Sequence, residues 1–355
     1  MVVSGNSVEQ NIAYNMRKII FNNLTKLSLL LGISLMLIFT YSFIGVNENK
    51  SRAEKYKLDD SWPNLRDGFA LGQVTGVGID TNQNVLLFHR ADRKWTTPFP
   101  TNTISSPTIL EVDGVTGNLL KSWGENLFIM PHGLTVDNEN NVWVTDVALH
   151  QIFKFNHDGI LLLKLGESGI SGNDSLHFNM PTDIAVCKDG SFYVSDGYGN
   201  SRVVKFSKTG KYLFEWGKKG TGKGEFDTPH GIDLDRKGNV YVADRENNRI
   251  QKFDAFGNFI DAWKNPEAKQ LYSLTIEKNS NKLYAIDYLT ISDTVIRGSD
   301  IVFLNSKFNL NNRLGRSGGY DGHVCRYHDI AVDMNGNLYV GDILGNSIQK
   351  FCKQK

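Results

Sequence analysis

The sequence predicts an all-β fold, a six-bladed β-propeller preceded by an N-terminal transmembrane helix. Three observations predict it. A strand–turn–strand pattern recurs at intervals of about fifty residues. Histidine occupies one position in alternate copies of that pattern. A long uncharged run lies near the N-terminus.

That run comes first in chain order. Residues 27–46, "LSLLLGISLMLIFTYSFIGV", form about 20 mostly apolar residues, enough to cross a bilayer as a helix. The end of the run and its flank, "YSFIGVNENKS", has no small-residue cleavage site, so the run reads as an uncleaved signal anchor. Arg17, Lys18 and Lys26 precede it; Lys50, Arg52, Lys55 and Lys57 follow it, so its basic flanks do not set an orientation. The predicted organisation is a polar segment over 1–26, an anchor over 27–46, a polar stalk over 47–60 and a propeller over 61–355. Sequons at Asn49 and Asn173 fit a glycosylated luminal or extracellular domain in the secretory pathway.

Composition narrows the function. With 39 basic and 38 acidic residues the net charge is +1, which argues against a nucleic-acid partner. Gly is abundant at 34 and Pro scarce at 8, as many tight turns require. Three cysteines, Cys187, Cys325 and Cys352, imply no disulfide framework.

The repeats follow. "PHGLTVDNENNVWVTDVALHQIFKF" from Pro131 matches "PTDIAVCKDGSFYVSDGYGNSRVVKF" from Pro181 and "PHGIDLDRKGNVYVADRENNRIQKF" from Pro229. A fourth copy, "YHDIAVDMNGNLYVGDILGNSIQKF", starts at Tyr327; weaker copies start at Val74 and Tyr272. Each reads as a strand, a turn with Asn, Asp or Gly, a second strand, a loop and a third strand, with a fourth strand such as "YLFEWG" after several. Six such units close into a six-bladed ring. Asp146, Asp196, Asp244, Asp287 and Asp342 recur at the end of the second strand, where an aspartate bonds backbone donors.

Aligned at the start of the first strand, the copies read Thr75, His132, Thr182, His230, Ser273 and His328. The innermost strand of a blade lines the channel. Histidines in blades two, four and six therefore converge on the axis, with room for a fourth ligand, as at a catalytic zinc. His89, His150, His157, His177 and His323 lack this regularity. The end of the second strand returns to the same face. There the copies place Arg90 and Arg245 in opposite blades, with Tyr198 one residue further on in blade three. A guanidinium fork suits a carboxylate, and a phenolate beside cations can act as a base. The residues point to metal-assisted proton chemistry on a small anionic, hydroxylated group.

The same residues carry a resemblance. "LGQVTGVGID", "FHRADRKW", "NLFIMPHGLTVD", "VWVTDVALHQIFKF", "HFNMPTDIAV", "VSDGYGNSRVVKFS", "VADRENNRIQKF" and "YHDIAVD…LYVGD" resemble peptidyl-α-hydroxyglycine α-amidating lyase, on an NHL-repeat skeleton, from about Leu71 to Phe351. The resemblance implies zinc on His132, His230 and His328, with Tyr198, Arg90 and Arg245 as catalytic residues. It also implies a structural calcium on the carbonyls of Val77 and Leu134 and the carboxylate of Asp329. The implied reaction cleaves peptides ending in α-hydroxyglycine into a peptide amide and glyoxylate. A separate peptidylglycine monooxygenase would supply that substrate, since no copper monooxygenase domain is legible in this chain.

Two features depart from the family. Disulfide cysteine positions of animal members read Asn179, Gly199 and Val240 here. Arg326 replaces a Met two residues before the third histidine, which makes it a candidate substrate contact or a perturbation of the metal. The alternatives are a catalytically silent, membrane-anchored NHL propeller acting as a binding module, or a different propeller hydrolase such as a lactonase.

Overall fold

The computed structural model describes residue 16 and residues 55–65, 69–292, 295–317 and 322–354. The expected anchor over 27–46, and the segment before it apart from Met16, lie outside the described residues. Among the described residues no helix is long and apolar enough to cross a membrane.

Six antiparallel sheets follow one another along the chain as the blades of a propeller. Their first strands are Val74–Ile79, Pro131–Val136, Asp183–Val186, Pro229–Leu234, Gln270–Ile276 and Tyr327–Val332. Position within a blade shows in the burial. Second strands such as Val142–Asp146 and Val240–Asp244 are buried at every residue, because a neighbouring blade covers each face. Outer strands such as Tyr212–Trp216 alternate between exposed and half-buried, as at a rim. Blade five carries an additional short strand, Val295–Gly298, paired with an extended second strand, Leu283–Ser292.

Ring closure corrects the expected stalk. Tyr56–Leu58 is not a stalk but the outermost strand of blade six, antiparallel to Ser347–Lys353, with Tyr56 opposite Lys353 and Leu58 opposite Phe351. The polar look of "KYKLDD" conceals a short alternating edge strand. Tyr56 and Leu58 pack against the apolar cluster between blades five and six, while Lys57 faces out.

The core is divided among the six seams between blades. Leu86, Phe88 and Ile109 of blade one meet Phe128, Val144 and Phe153 of blade two. Ala331, Tyr339 and Ile348 of blade six meet Val77, Leu87 and Val112 of blade one. Phe128 is fully buried between blades one and two, with edge-on contacts to Phe88 and Phe153. Phe128→Ala is expected to lower the unfolding free energy by about 3–5 kcal/mol, measured by chemical denaturation. A loss under about 1 kcal/mol would show the seam to be loosely packed.

Towards the axis the inner strands crowd. A Cβ on Gly133 would lie 2.5 Å from the Thr182 carbonyl oxygen of the next blade, so the residue after His132 must be glycine. Thr228, two residues before His230, holds φ at 60°, an unusual value for a β-branched residue. Its carbonyl accepts the Arg245 N–H at 3.0 Å, so one bent segment positions both residues.

Candidate active site

The three aligned histidines meet on the axis. Their ring centroids are 4.6–4.8 Å apart, and each is almost wholly buried. One nitrogen of each can serve a common ion, these atoms all lying within 4.8 Å of one another.

Their orientation comes from the neighbouring blade. Nδ1 of His132 donates to the Thr182 carbonyl at 2.7 Å, His230 to the Tyr272 carbonyl at 2.8 Å, and His328 to the Thr75 carbonyl at 2.8 Å. A carbonyl only accepts, so each Nδ1 carries the proton and each Nε2 carries the lone pair. Burial holds all three imidazoles well below their usual pKa, and neighbouring positive charge adds to the shift. They are neutral, as metal ligands must be.

Tyr198 closes the triangle. Its hydroxyl lies 3.1 Å from Nε2 of both His132 and His230 and accepts Arg245 Nη1 at 3.0 Å. One phenol proton cannot satisfy two imidazole lone pairs. The trio therefore has more acceptors than donors, and this donor set fits a tetrahedral cation with an open position. Burial raises the phenol pKa; Arg245 and Arg90 draw it back. Burial alone would lower Arg245, but Tyr198, Tyr272 and Glu246 hold it above its usual value.

Arg90 is buried on the opposite side. Its Nε donates to the Pro131 carbonyl at 3.0 Å and its Nη1 to Gln73 at 2.9 Å. Its Nη2 is buried with no hydrogen-bond partner. Burial pushes this guanidinium down to about 10, which leaves it charged at neutral pH. An unpartnered buried donor on a cation fits an anionic ligand.

All the site residues predicted on this face come together. Arg326 is one ring removed: Nε, at 3.0 Å, and Nη2 both donate to the Tyr272 hydroxyl, and Tyr272 packs on His230 and His328. The sequence reading passed over Trp95, whose indole lies 5.0 Å from the Tyr198 ring and 5.3 Å from the Arg90 guanidinium. Its signal was the long insertion between the second and third strands of blade one. The recurring aspartates are structural; Asp146 alone accepts four backbone N–H groups. The other five histidines stay outside the trio. His157 faces Asp80 and His177 faces Asp174, and none of the three cysteines is in a disulfide.

The other channel mouth gathers the second expected set. Val77, Leu134 and Asp329 line one cavity of about 410 Å³, joined by Asp183. Asp183 occupies in blade three the repeat position that Asp329 holds in blade six. Burial pushes Asp329 up to about 7; burial and then the charge of Asp329 raise Asp183. Among the described residues neither forms an ion pair with a basic side chain. Two buried acids facing a pair of inner strands fit a hard cation.

Comparison with known proteins places the chain. The NHL repeat model matches residues 128–155, 178–206 and 226–253. A Xenopus laevis peptidyl-glycine alpha-amidating monooxygenase B is 36% identical over 84% of this chain and 35% of its own length. A Drosophila melanogaster peptidyl-alpha-hydroxyglycine alpha-amidating lyase 1 is 33% identical over 83% of this chain and 59% of its own length. The chain thus spans about a third of the amphibian relative and under two thirds of the insect one. A solved virginiamycin B lyase from Staphylococcus aureus covers 84% of this chain and 88% of its own at TM-score 0.55 and 17% identity, a likeness of fold alone.

Proposed function

The chain belongs to the family of the peptidyl-α-hydroxyglycine α-amidating lyases, and from that premise we propose that it cleaves peptidyl-α-hydroxyglycine into a peptide amide and glyoxylate. The observation that carries the reading is the convergence of His132, His230 and His328 on the axis, with the Tyr198 hydroxyl 3.1 Å from Nε2 of His132 and of His230.

His132, His230 and His328 would hold zinc. Bound there, zinc would polarise the substrate hydroxyl and lower its pKa. Tyr198 would take the hydroxyl proton as a phenolate, a form that burial disfavours and that the Arg245 and Arg90 guanidiniums, with a cation held on the trio, would favour. The oxygen electron pair forms the aldehyde C=O as the C–N bond breaks. The nitrogen leaves as the peptide amide and recovers a proton from Tyr198, so the phenolate is regenerated. Arg90 presents its unpartnered Nη2 to the substrate carboxylate and holds the carbinol carbon against the histidine face. Trp95 covers Tyr198 and limits access of water to the phenolate. Val77, Leu134, Asp329 and Asp183 would hold calcium at the far mouth, joining blades one, two, three and six. The substrate is an oxidised peptide end, so a hydroxylating peptidylglycine monooxygenase must precede this step.

Incubating the full-length protein with a synthetic peptidyl-α-hydroxyglycine tests the reading. Glyoxylate release above the spontaneous rate is expected, lost on chelation and restored by zinc. Metal analysis should return one zinc and one calcium per chain. Absence of release from folded, zinc-loaded protein would sink the proposal.

A further inference from the structure

The candidate active site holds more positive charge than its proposed reaction needs. Three guanidinium groups surround the histidine trio, from Arg90 in blade one, Arg245 in blade four and Arg326 in blade six. The hydroxyglycine end of a peptide carries one carboxylate. Arg245 is committed: its Nε pairs with Glu246 at 2.8 Å and its Nη1 with the Tyr198 hydroxyl. Arg90 lies deepest and has one unpartnered donor, enough for the single carboxylate. Arg326 is left over.

Arg326 is also built in rather than draped on the surface. Its main-chain N–H donates to Asp342 at 2.8 Å, and its carbonyl accepts the Ile343 N–H at 3.0 Å. Its guanidinium lies over the Tyr288 ring at 4.7 Å and spends Nε and Nη2 on the Tyr272 hydroxyl. Among the described residues no carboxylate pairs with it. The remaining nitrogen, Nη1, is thus held by two aromatic rings in a half-buried place above the trio. A half-buried cation fixed without a counter-charge attracts an anion from outside the protein. Its distance from the metal centre is spanned by the Tyr272 ring, so it addresses a group beyond the reacting carbon.

We infer that Arg326 forms a subsite for an acidic side chain immediately preceding the hydroxyglycine, so that this protein prefers peptides ending in Glu- or Asp-hydroxyglycine. The inference rests on the lyase reading above. The carboxylate of the hydroxyglycine goes to Arg90, the hydroxyl to the histidine face, and the acidic side chain to Arg326 Nη1. Trp95 and Phe99, edge to face at 4.9 Å, wall the other side of the mouth.

The test compares four peptides that differ only in the residue before hydroxyglycine: Glu, Gln, Phe and Lys. A charge-assisted hydrogen bond at a half-buried site is worth about tenfold. The expected kcat/KM for Glu therefore exceeds that for Gln by about tenfold, with Lys the poorest. Raising the salt concentration should shrink the ratio. Arg326→Met should bring the Glu/Gln ratio to about one, and Arg326→Glu should favour Lys over Glu. A wild-type ratio near one with ready turnover overturns the subsite and leaves the lyase reading standing. So does an Arg326→Met variant that slows all four peptides by a common factor, since Arg326 would then serve the shared carboxylate. Glyoxylate from none of the four overturns the lyase reading. Calorimetric binding of the unreactive Glu-Gly and Gln-Gly peptides then decides the subsite alone, and equal affinities overturn it.

Discussion

His230→Ala is expected to remove zinc from the purified protein and to lower glyoxylate release by about a thousandfold or more. Ligation is worth several kcal/mol of charge stabilisation in such centres, and each 1.4 kcal/mol is about tenfold in rate. His230, like His132, is a central member of the trio to remove. It touches both other histidines and the Tyr198 hydroxyl, and its Nδ1 is held by the Tyr272 carbonyl. Alanine leaves that carbonyl without a donor and opens a cavity at the axis, at a cost of about 1–3 kcal/mol. The propeller should tolerate this because its apolar core lies in the seams, away from the channel. The readouts are metal content per chain, glyoxylate release and circular dichroism. Full zinc content with a rate within fivefold of wild type, in a folded variant, would refute the three-histidine centre.

Tyr198→Phe should separate proton transfer from metal binding. The variant keeps the ring that packs on Trp95 and removes only the hydroxyl. Zinc content should stay at the wild-type value and KM should change little. A positioned base contributes about a hundredfold to ten-thousandfold, and kcat should fall by that range. Arg245 Nη1 loses its acceptor in the variant, so Arg245→Met on the Tyr198→Phe background should cost little more. A kcat within tenfold of wild type would assign the proton to another group.

Much of the fold and of this face was legible because repetition converts sequence position into geometry. Six copies of one pattern define six blades, and a shared offset places His132, His230 and His328 on one level. Arg90, Arg245 and Tyr198 were legible for the same reason, since the end of the second strand returns to the start of the first. Asp183 was equally available, as "PTDIAV" and "YHDIAV" carry aspartate at one repeat position, yet it was not paired with Asp329. Trp95 was harder to see, because it sits in an insertion that no other copy shares. The strand at Tyr56–Leu58 was missed because three residues of an edge strand leave almost no periodic signal, and its partner lies at the far end of the chain. The carbonyls that hold the imidazoles have no sequence signal, since every residue supplies one.

The pairing of Tyr56–Leu58 with Ser347–Lys353 has a consequence for the order of events during synthesis. The ribosome delivers the edge strand before the six inner strands and its partner after them, so the ring stays open until Ser347–Lys353 has been made. His328 belongs to the last blade made. A nascent chain therefore has two imidazoles with no third, and a Tyr198 with no completed cradle. Local hairpins can form as they emerge, but the last seam waits on the most distant contact in the domain. A three-histidine metal site would thus be completed late, by blade six, and a ribosome-stalled product lacking that blade is expected to retain zinc poorly.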